Sequence, residues 1–337
     1  MYKKMQPIFT VITVLTFITV PFISKANDGF GALGIGGIIV GKTDDIALEK
    51  ELLEISRNLI TVHYDFVNES NKDITSIVTF PLPAYPADSR GSGIIAHGEP
   101  DDFKVFVNNS PVEFKTKVFA TIGKIDITDE LRKLGFTDKQ IASFPFDSSL
   151  LKSHQLRIPP SKIKKLKKKG FLLEYEAPAW QIHVSYEWVQ TFPAKSTLHI
   201  SHSYRPFVAV GTASGYDKYF KDDFCINKEQ KSKLDALLSD KKNLNLYYQI
   251  NGAIIEYILT TANTWKDGVR NFKLRIHTAT DDEIVSTCYP KIKKLSARTF
   301  GVDINNFKPQ KDLQIYIGNT KIDNDGEDFF GKMPQLK

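Results

Sequence analysis

The chain has 337 residues, of which 42% are hydrophobic and 25% are charged, and its formal net charge is +6 at pH 7. This length and apolar content allow one large or two ordinary folded domains, and they exclude a chain that is disordered throughout. So small a positive charge does not indicate a nucleic-acid-binding protein, and we expect no nucleic-acid partner.

Residues 1–26 have the features of a secretory signal peptide. Two lysines near the start precede the uncharged apolar run Ile8–Ile23 and a small-x-small cleavage site that ends at Ala26. We therefore expect an exported protein, periplasmic or secreted, that is cleaved after Ala26. The apolar run is long for a signal peptide and short for a spanning helix, so an uncleaved membrane tether is the alternative. Cleavage would remove three lysines and lower the net charge to +3.

Alternating apolar and polar residues in Leu59–Pro83 and Gln181–Pro206 predict two antiparallel β-hairpins. The inward residues would be Ile60, Val62, Tyr64, Phe66, Ile74, Val78, Phe80 and Leu82 in the first, and Ile182, Val184, Tyr186, Trp188, Leu198, Ile200, His202 and Tyr204 in the second. Such a hairpin buries one face and needs a covering sheet. We therefore predict a β-sandwich over residues 27–210.

A helical insertion is predicted at residues 126–170. Thr128–Phe144 contains two helix-capping patterns and predicts two short helices that are separated at Gly135. Ser161–Lys169 predicts a third short helix that ends at Gly170.

The third helix carries six lysines around two apolar residues, Ile163 and Leu166. The lysines are Lys162, Lys164, Lys165, Lys167, Lys168 and Lys169. They form either an ordinary solvated face or a patch that contacts an anionic surface. Two apolar residues can dock the helix on its own domain but are too few to insert it into a bilayer.

Residues 211–318 are predicted to form a smaller β-rich domain with one helix. The helix would begin at the capping pattern Asn227-x-x-Gln230 and run to about Leu238. Its strands would lie near Leu246–Ile258, Phe272–Thr278, Ser296–Val302 and Leu313–Gly318. Residues 319–337 lack periodicity and are predicted to be a loose tail. The predicted fold class is thus mostly β, a sandwich with a helical insertion followed by this domain.

Two cysteines, Cys225 and Cys288, remain after cleavage of the predicted signal. In an oxidising compartment, two thiols are expected to form one disulfide; two buried free thiols are the alternative. Neither cysteine lies in a C-x-x-C motif or beside metal-spaced histidines, so neither redox catalysis nor a zinc site is predicted.

Several motifs along the chain resemble one bacterial exported family. They are G-G-I-I-V before Asp44-Asp45-Ile46, F-P-L-P at Phe80–Pro83, W-V-Q-T-F-P-A at Trp188–Ala194, H-S-Y-R-P at His202–Pro206 and a cysteine next to Phe224. Their order resembles the family called domain of unknown function 4424, over nearly all of the mature chain. The resemblance implies export and architecture, and no known activity. More distantly, the segment from Asn68 to Ser110 looks like the vault and inter-alpha-trypsin type of β-sandwich.

The histidines do not predict a metal site. With a loop centred at Ala194, the second hairpin would pair Tyr186 with His202 and place His202 on the apolar face, where a histidine is usually structural. His183 and His199 would face the other side, roughly 20 Å apart along the strands, which is too far to share an ion.

Catalytic spacing motifs are also missing from the sequence. There is no G-x-S-x-G elbow, and adjacent carboxylates such as Asp281 and Asp282 would face opposite ways on a strand. The acidic run Asp323–Asp328 lacks the glutamate that ends an EF-hand loop. We therefore predict a non-catalytic exported protein, without a cofactor, that binds an envelope component such as a protein, a glycan or an anionic lipid surface. The alternative is a glycan- or peptide-directed hydrolase whose site comes from separated loops.

Overall fold

A computed structural model of the protein describes residues 43–87, 94–96, 103–142, 159–173, 178–206, 208–210, 224–239 and 252–320, with the backbone alone for 94–96 and 208–210. The predicted signal peptide and residues 321–337 of the predicted tail lie outside the described residues. Within the described ranges, no helix is both long and apolar enough to cross a bilayer.

The large sheet has eight strands drawn from both halves of the chain. In spatial order they are β16 (Lys293–Lys294), β17 (Thr299–Phe307), β14 (Lys266–His277), β1 (Ile46–Ile55), β2 (Ile60–Asn68), β11 (Thr197–Tyr204), β6 (Lys104–Val107) and β7 (Ser110–Pro111). β1 and β14 run parallel, whereas the other neighbours in this sheet are antiparallel. The pairing of β1 with β2 shifts register between Leu48 and Lys50, which marks a bulge in β1.

Two further sheets have five strands each. The second sheet contains β3 (Ile74–Pro81), β10 (Gln181–Phe192), β8 (Lys115–Ile122) and β9 (Ile125–Asp126), with β4 (Tyr85–Pro86) also paired to β10. The third sheet contains, in spatial order, β15 (Ile284–Ser286), β18 (Leu313–Gly318), β13 (Gly252–Tyr257), β12 (Val208–Val210) and β5 (Ile94–Ala96).

The two predicted hairpins are wrong in their pairing and right in their inward faces. β2 and β3 lie in different sheets, as do β10 and β11. Instead, β2 pairs with β11 in the large sheet, and β3 pairs with β10 in the second sheet. Each segment is therefore an arch that crosses between the two layers of the sandwich. A hairpin and an arch have the same alternating pattern, because the pattern depends on which side of a strand is buried and not on which strand lies beside it.

Both smaller sheets pack on one face of the large sheet. The Phe66 ring of β2 lies 5.8 Å from the Phe192 ring of β10, between centroids, whereas Tyr64 Oη of β2 lies 3.1 Å from Tyr257 Oη of β13. One hydrophobic cluster therefore runs between the layers. The predicted inward residues of both arches belong to it, except Ile74, which is half-buried at its edge, and His202, which is a buried polar residue. The mostly-β fold with a sandwich is confirmed.

Four α-helices lie within the described residues. They are α1 (Thr128–Lys133), α2 (Asp138–Ala142), α3 (Pro160–Lys168) and α4 (Lys228–Ser239), and the 3-10 helix Thr260–Thr264 precedes β14. The first three match the predicted insertion; α1 and α2 pack on the second sheet, and α3 contacts α1 and the loop that follows it. Gly135 and Gly170 have φ values of +80° and +72°, left-handed conformations that suit glycine after α1 and α3.

Two sheets cross the predicted domain limit at residue 210. β1, from the first predicted domain, pairs along its length with β14 from the second, and the third sheet joins β12 to β13. The limits 27–210 and 211–318 stay a prediction, but the two parts are not built on separate sheets. Local sequence patterns do not reveal the pairing of β1 with β14 because these partners lie more than 200 residues apart.

Candidate functional site

A cleft of about 810 Å³ lies between α4 and the loops on either side of β15. We call it the disulfide cleft because Cys225 forms part of its wall. Its apolar lining consists mainly of Leu237, Ile284, Val285, Tyr289, Ile292 and Phe300. Polar and charged side chains complete the lining, so that the cleft combines apolar walls with a polar rim.

The start of α4 is fixed by the predicted capping pattern. The Gln230 N–H donates to Asn227 Oδ1 at 2.9 Å, and the Asn227 N–H donates to Gln230 Oε1 at 2.8 Å. Gln230 Nε2 also donates to the Val285 carbonyl at 2.6 Å, and Ser286 Oγ donates to Gln230 Oε1 at 3.1 Å. One glutamine thus caps the helix and binds it to β15, across the floor of the cleft.

Cys225 and Cys288 form the predicted disulfide, with their Cα atoms 4.9 Å apart. The bond joins the turn before α4 to the loop after β15. Its two cysteines are 63 residues apart in the sequence. Cys225 is exposed and Cys288 is half-buried. The bond therefore holds α4 against the third sheet from the surface of the molecule.

Three described residues that line the cleft have left-handed backbones. Cys225 has a φ of +51°, Lys291 a φ of +65° and Asn319 a φ of +62°. A left-handed conformation costs a residue with a Cβ atom about 1–2 kcal/mol. Backbones of this kind occur often at ligand sites, where the surrounding contacts hold them in place.

The charged groups of the cleft fall into two sets. Each carboxylate has a polar partner: Glu229 with Lys233 at 2.7 Å, Asp281 with Arg298 at 2.5 Å, Asp282 with the Asn319 amide at 3.0 Å and Glu283 with Arg57 at 2.9 Å. Lys291 and Lys294 have no carboxylate within ion-pair distance in the described part of the chain. Because the Asn319 amide is neutral, the five basic groups named here outnumber the four carboxylates by one, so the net charge of these described groups is positive.

Glu283 is the buried member of this set, with its side chain 1% exposed. Its Oε2 accepts a hydrogen bond from the Ala279 N–H at 2.8 Å. Arg57 Nη2 is close to Oε1 but is not aligned as a hydrogen-bond donor to it. Burial raises the pKa of Glu283, and the Arg57 charge opposes that rise. The pair links the turn between β1 and β2 to the cleft.

The predicted lysine patch is only partly available on α3. Lys162 donates to the Gly135 carbonyl and lies 4.8 Å from the centroid of the Phe136 ring. Lys169 forms an ion pair with Glu130 at 2.5 Å. These two lysines hold α3 against the rest of the insertion, as does Leu166, which is fully buried. The exposed lysines of α3 that have no ion pair among the described residues are Lys164, Lys165 and Lys168.

His202 lies on the apolar face, as predicted, but with different neighbours. It pairs with Val62 and Val105 in the large sheet, so the predicted pairing with Tyr186 is wrong. Its ring lies 4.2 Å from that of Phe80, and neither ring nitrogen has a hydrogen-bond partner within the described residues. Burial lowers the pKa of His202 to about 3, so the ring stays neutral.

His183 and His199 lie in different sheets, which corrects the predicted ladder between them. His183 Nε2 lies 2.9 Å from Thr121 Oγ1, and His199 Nδ1 lies 2.6 Å from Asp65 Oδ1. Among the described residues, no three His, Cys, Asp or Glu side chains are grouped so that they could hold a metal ion.

Sequence reasoning missed a buried carboxyl group in the main core. Glu51 of β1 is 4% exposed and lies beside a small void that Tyr64, Tyr257 and Thr261 also line. No cation lies within ion-pair distance of it in the described ranges. Burial raises its pKa to about 8. The bulge in β1 turns Glu51 inward, and unbroken alternation from Ile46 would have placed it outward.

The fold and the cleft together define a mostly-β sandwich protein with a ligand-sized cleft beside a disulfide. The family described as "Domain of unknown function (DUF4424)" matches residues 26–316, and the chain belongs to this family. The family resemblance drawn from the motifs is thereby confirmed. A comparison with curated proteins finds no match.

Solved structures include distant likenesses. A Legionella pneumophila protein, described as a candidate nutrient-binding protein, shares 18% identity with a TM-score of 0.43, over 84% of this chain and 70% of that one. The M1 zinc metallopeptidase from Deinococcus radiodurans shares 6% identity with a TM-score of 0.28, over 82% of this chain and 43% of that one. This chain therefore spans less than half of the metallopeptidase.

Proposed function

We propose that the protein is an exported binding protein that holds a small ligand in the disulfide cleft. The observation that carries the proposal is the cleft itself, with about 810 Å³ of space, apolar walls and a polar rim. Small-molecule sites in proteins have volumes of roughly 300–1,000 Å³ and this same mixture of linings.

The walls of the cleft are held in place before any ligand arrives. Cys225 is bonded to Cys288, and Gln230 connects α4 to Val285. Walls that are already ordered lose little conformational entropy when a ligand binds. This supports reversible binding at the cleft.

Filling the cleft tests the proposal. Ala236 lines it from the exposed side of α4, whereas Ser232, one turn earlier and also exposed, does not line it. Ala236→Trp should lower the affinity for the neutral fluorescent probe N-phenyl-1-naphthylamine at least tenfold, and Ser232→Trp should leave it unchanged. The affinities are measured by fluorescence titration. Equal affinity in wild type and both variants would show that the probe does not bind in the cleft.

Export is supported by the sequence of residues 1–26 and by the disulfide, because disulfides persist in oxidising compartments. Mass spectrometry of the protein from the envelope fraction should find an N-terminus at Asn27. A full-length chain retained in the inner membrane would instead favour the uncleaved tether.

The hydrolase alternative rests on Glu283, a carboxyl group with a raised pKa beside a cleft, which is a common property of catalytic acids. However, both of its oxygens face groups of the protein itself, Arg57 and the Ala279 N–H. A general acid must face its substrate. The geometry therefore favours a binding protein over a hydrolase.

We also propose that the exposed lysines of α3 contact an acidic envelope component. The support is the local charge of Lys164, Lys165 and Lys168, which have no ion pairs in the described part of the chain. Each basic residue near an anionic lipid surface contributes about 1 kcal/mol to binding. This contact would be sensitive to salt.

A further inference from the structure

We infer that the disulfide cleft selects small organic anions that have an apolar body, a specificity that rests on the proposed function. Carboxylates or sulfonates attached to an aromatic or aliphatic group belong to this class. The inference depends on where the uncompensated charge of the cleft lies and on what lies beside it.

The charge argument starts from the pairing of the acidic groups. Glu229, Asp281 and Glu283 each have a basic partner, and the amide of Asn319 binds Asp282. A cationic ligand would therefore have to compete with groups that are already in contact with these carboxylates. Lys291 and Lys294 form no ion pair with a carboxylate in the described residues, so a ligand anion can bind them without breaking an ion pair.

The two lysines lie next to the apolar wall of the cleft. Lys294 and Phe300 are opposite each other on β16 and β17, and the Lys294 ammonium lies 5.6 Å from the centroid of the Phe300 ring. Lys291 lies two residues before β16, and Ile292, which comes between them, also lines the cleft. An apolar body that packs on Phe300 and Ile292 therefore has its acidic group within reach of both ammonium groups.

Electrostatics alone do not hold the ligand at this site. Both lysines are exposed, and an exposed ion pair contributes about 0.2–1 kcal/mol. Contact with the apolar wall supplies the larger part of the binding free energy. The lysines make the affinity for an anionic ligand higher than that for a neutral ligand with the same apolar part.

A matched pair of fluorescent probes tests this specificity. 1-Anilinonaphthalene-8-sulfonate and N-phenyl-1-naphthylamine have the same apolar body, and only the first carries a sulfonate. We expect wild type to bind the anionic probe about tenfold more tightly at low salt, and this advantage to shrink as salt is added. Lys291→Gln/Lys294→Gln should remove the advantage without changing the affinity for the neutral probe. Lys104→Gln/Lys124→Gln, with the same loss of charge at exposed positions outside both the cleft and α3, is the control and should change neither affinity.

The outcomes separate the inference from the proposed function. If Ala236→Trp leaves both probes bound, the cleft is not the site and the proposed function fails. Suppose that Ala236→Trp abolishes the binding of both probes, so that the cleft is confirmed as the site. The selection of anions is then refuted if wild type binds the two probes with equal affinity, or if Lys291→Gln/Lys294→Gln weakens the binding of both equally. If Lys104→Gln/Lys124→Gln lowers the affinity for the anionic probe as much as the cleft variant does, the effect is one of overall charge, and the assignment to Lys291 and Lys294 is refuted.

Discussion

In the main core, aromatic rings from the large and second sheets pack against each other, whereas the described residues of the α4 region form a small hydrophobic cluster of their own. Phe80 lies 5.4 Å from Phe103 and 4.2 Å from His202, between ring centroids. Among the described residues, the cluster under α4 contains five buried members, Phe224, Ile226, Leu234, Ile284 and Tyr316. A disulfide and the hydrogen bonds of Gln230 supplement it.

The difference shows two ways of holding secondary structure in place. Burial stabilises the sandwich because each arch contributes strands to both layers and the contacts are many. In the described α4 region, a disulfide and side-chain hydrogen bonds add to the contacts of a smaller apolar cluster. A wall of that kind suits a ligand site, since local stability there can be changed without unfolding the sandwich.

Removing one ring from the main core should have the largest effect. Phe80 is 1% exposed, so Phe80→Ala leaves a cavity between the layers and should lower the free energy of unfolding by about 3–5 kcal/mol. Ile77→Ala in the same strand is the control, because Ile77 is 59% exposed and should cost less than about 0.5 kcal/mol. Urea unfolding of both variants measures the difference. A small effect of Phe80→Ala would contradict the inward assignment of β3.

Removing the disulfide should come next. Cys225→Ser/Cys288→Ser opens a closure of 63 residues and should cost about 2–4 kcal/mol. In hydrogen exchange, the amides of α4 should lose their protection first, and those of β2 only later. Thiol titration of the unfolded, unreduced wild type should find no free thiol. If α4 in the variant stays as protected as β2, the small cluster suffices and the comparison between the regions is wrong.

The two buried carboxyl groups should respond in opposite directions to the same substitution. Burial raises the pKa of Glu51 from 4.5 to about 8, so between these values the folded state holds a proton that the unfolded state has released. The free energy of unfolding therefore falls as pH rises through this window. Glu51→Gln should remove that fall, and its advantage over wild type should grow by roughly 1–3 kcal/mol from pH 5 to pH 7.

Glu283→Gln provides the matched comparison. Glu283 has Arg57 as a partner, so the substitution leaves a buried guanidinium without its counter-charge and should destabilise the protein. Thermal unfolding of both variants at pH 5 and pH 7 decides the matter. A stabilising Glu283→Gln would show that Arg57 does not compensate the carboxylate.

The exposed lysines of α3 should have the smallest effect on stability. Lys164→Gln/Lys165→Gln/Lys168→Gln should change the free energy of unfolding by less than about 0.5 kcal/mol, since the three side chains are exposed. The same variant should sediment several-fold less with anionic vesicles at low salt. Lys72→Gln/Lys104→Gln/Lys124→Gln, at exposed positions elsewhere, is the control. If both variants and wild type sediment equally at every salt concentration, the lysines of α3 form an ordinary solvated face and do not contact an anionic surface.

Local features of the structure follow from the sequence by itself. The Asn108-Asn109 turn between β6 and β7 has φ values of +48° and +65°, which asparagine tolerates well. The capping pattern of Thr137 and Gln140 is formed in α2, as that of Asn227 is in α4. The inward faces of both arches and the disulfide were also predictable. Each of these depends on neighbours a few residues apart, or on there being only two cysteines.

Only the tertiary structure decides which strands are neighbours. The pairing of β2 with β11 and of β1 with β14 joins segments more than 100 residues apart, and the alternation of a strand carries no information about its partner. The inward turn of Glu51 depends on a bulge in β1 that appears only in the pairing with β2. The cleft is formed by α4, by β15 of the third sheet and by β16 of the large sheet, and the disulfide joins the turn before α4 to the loop between β15 and β16.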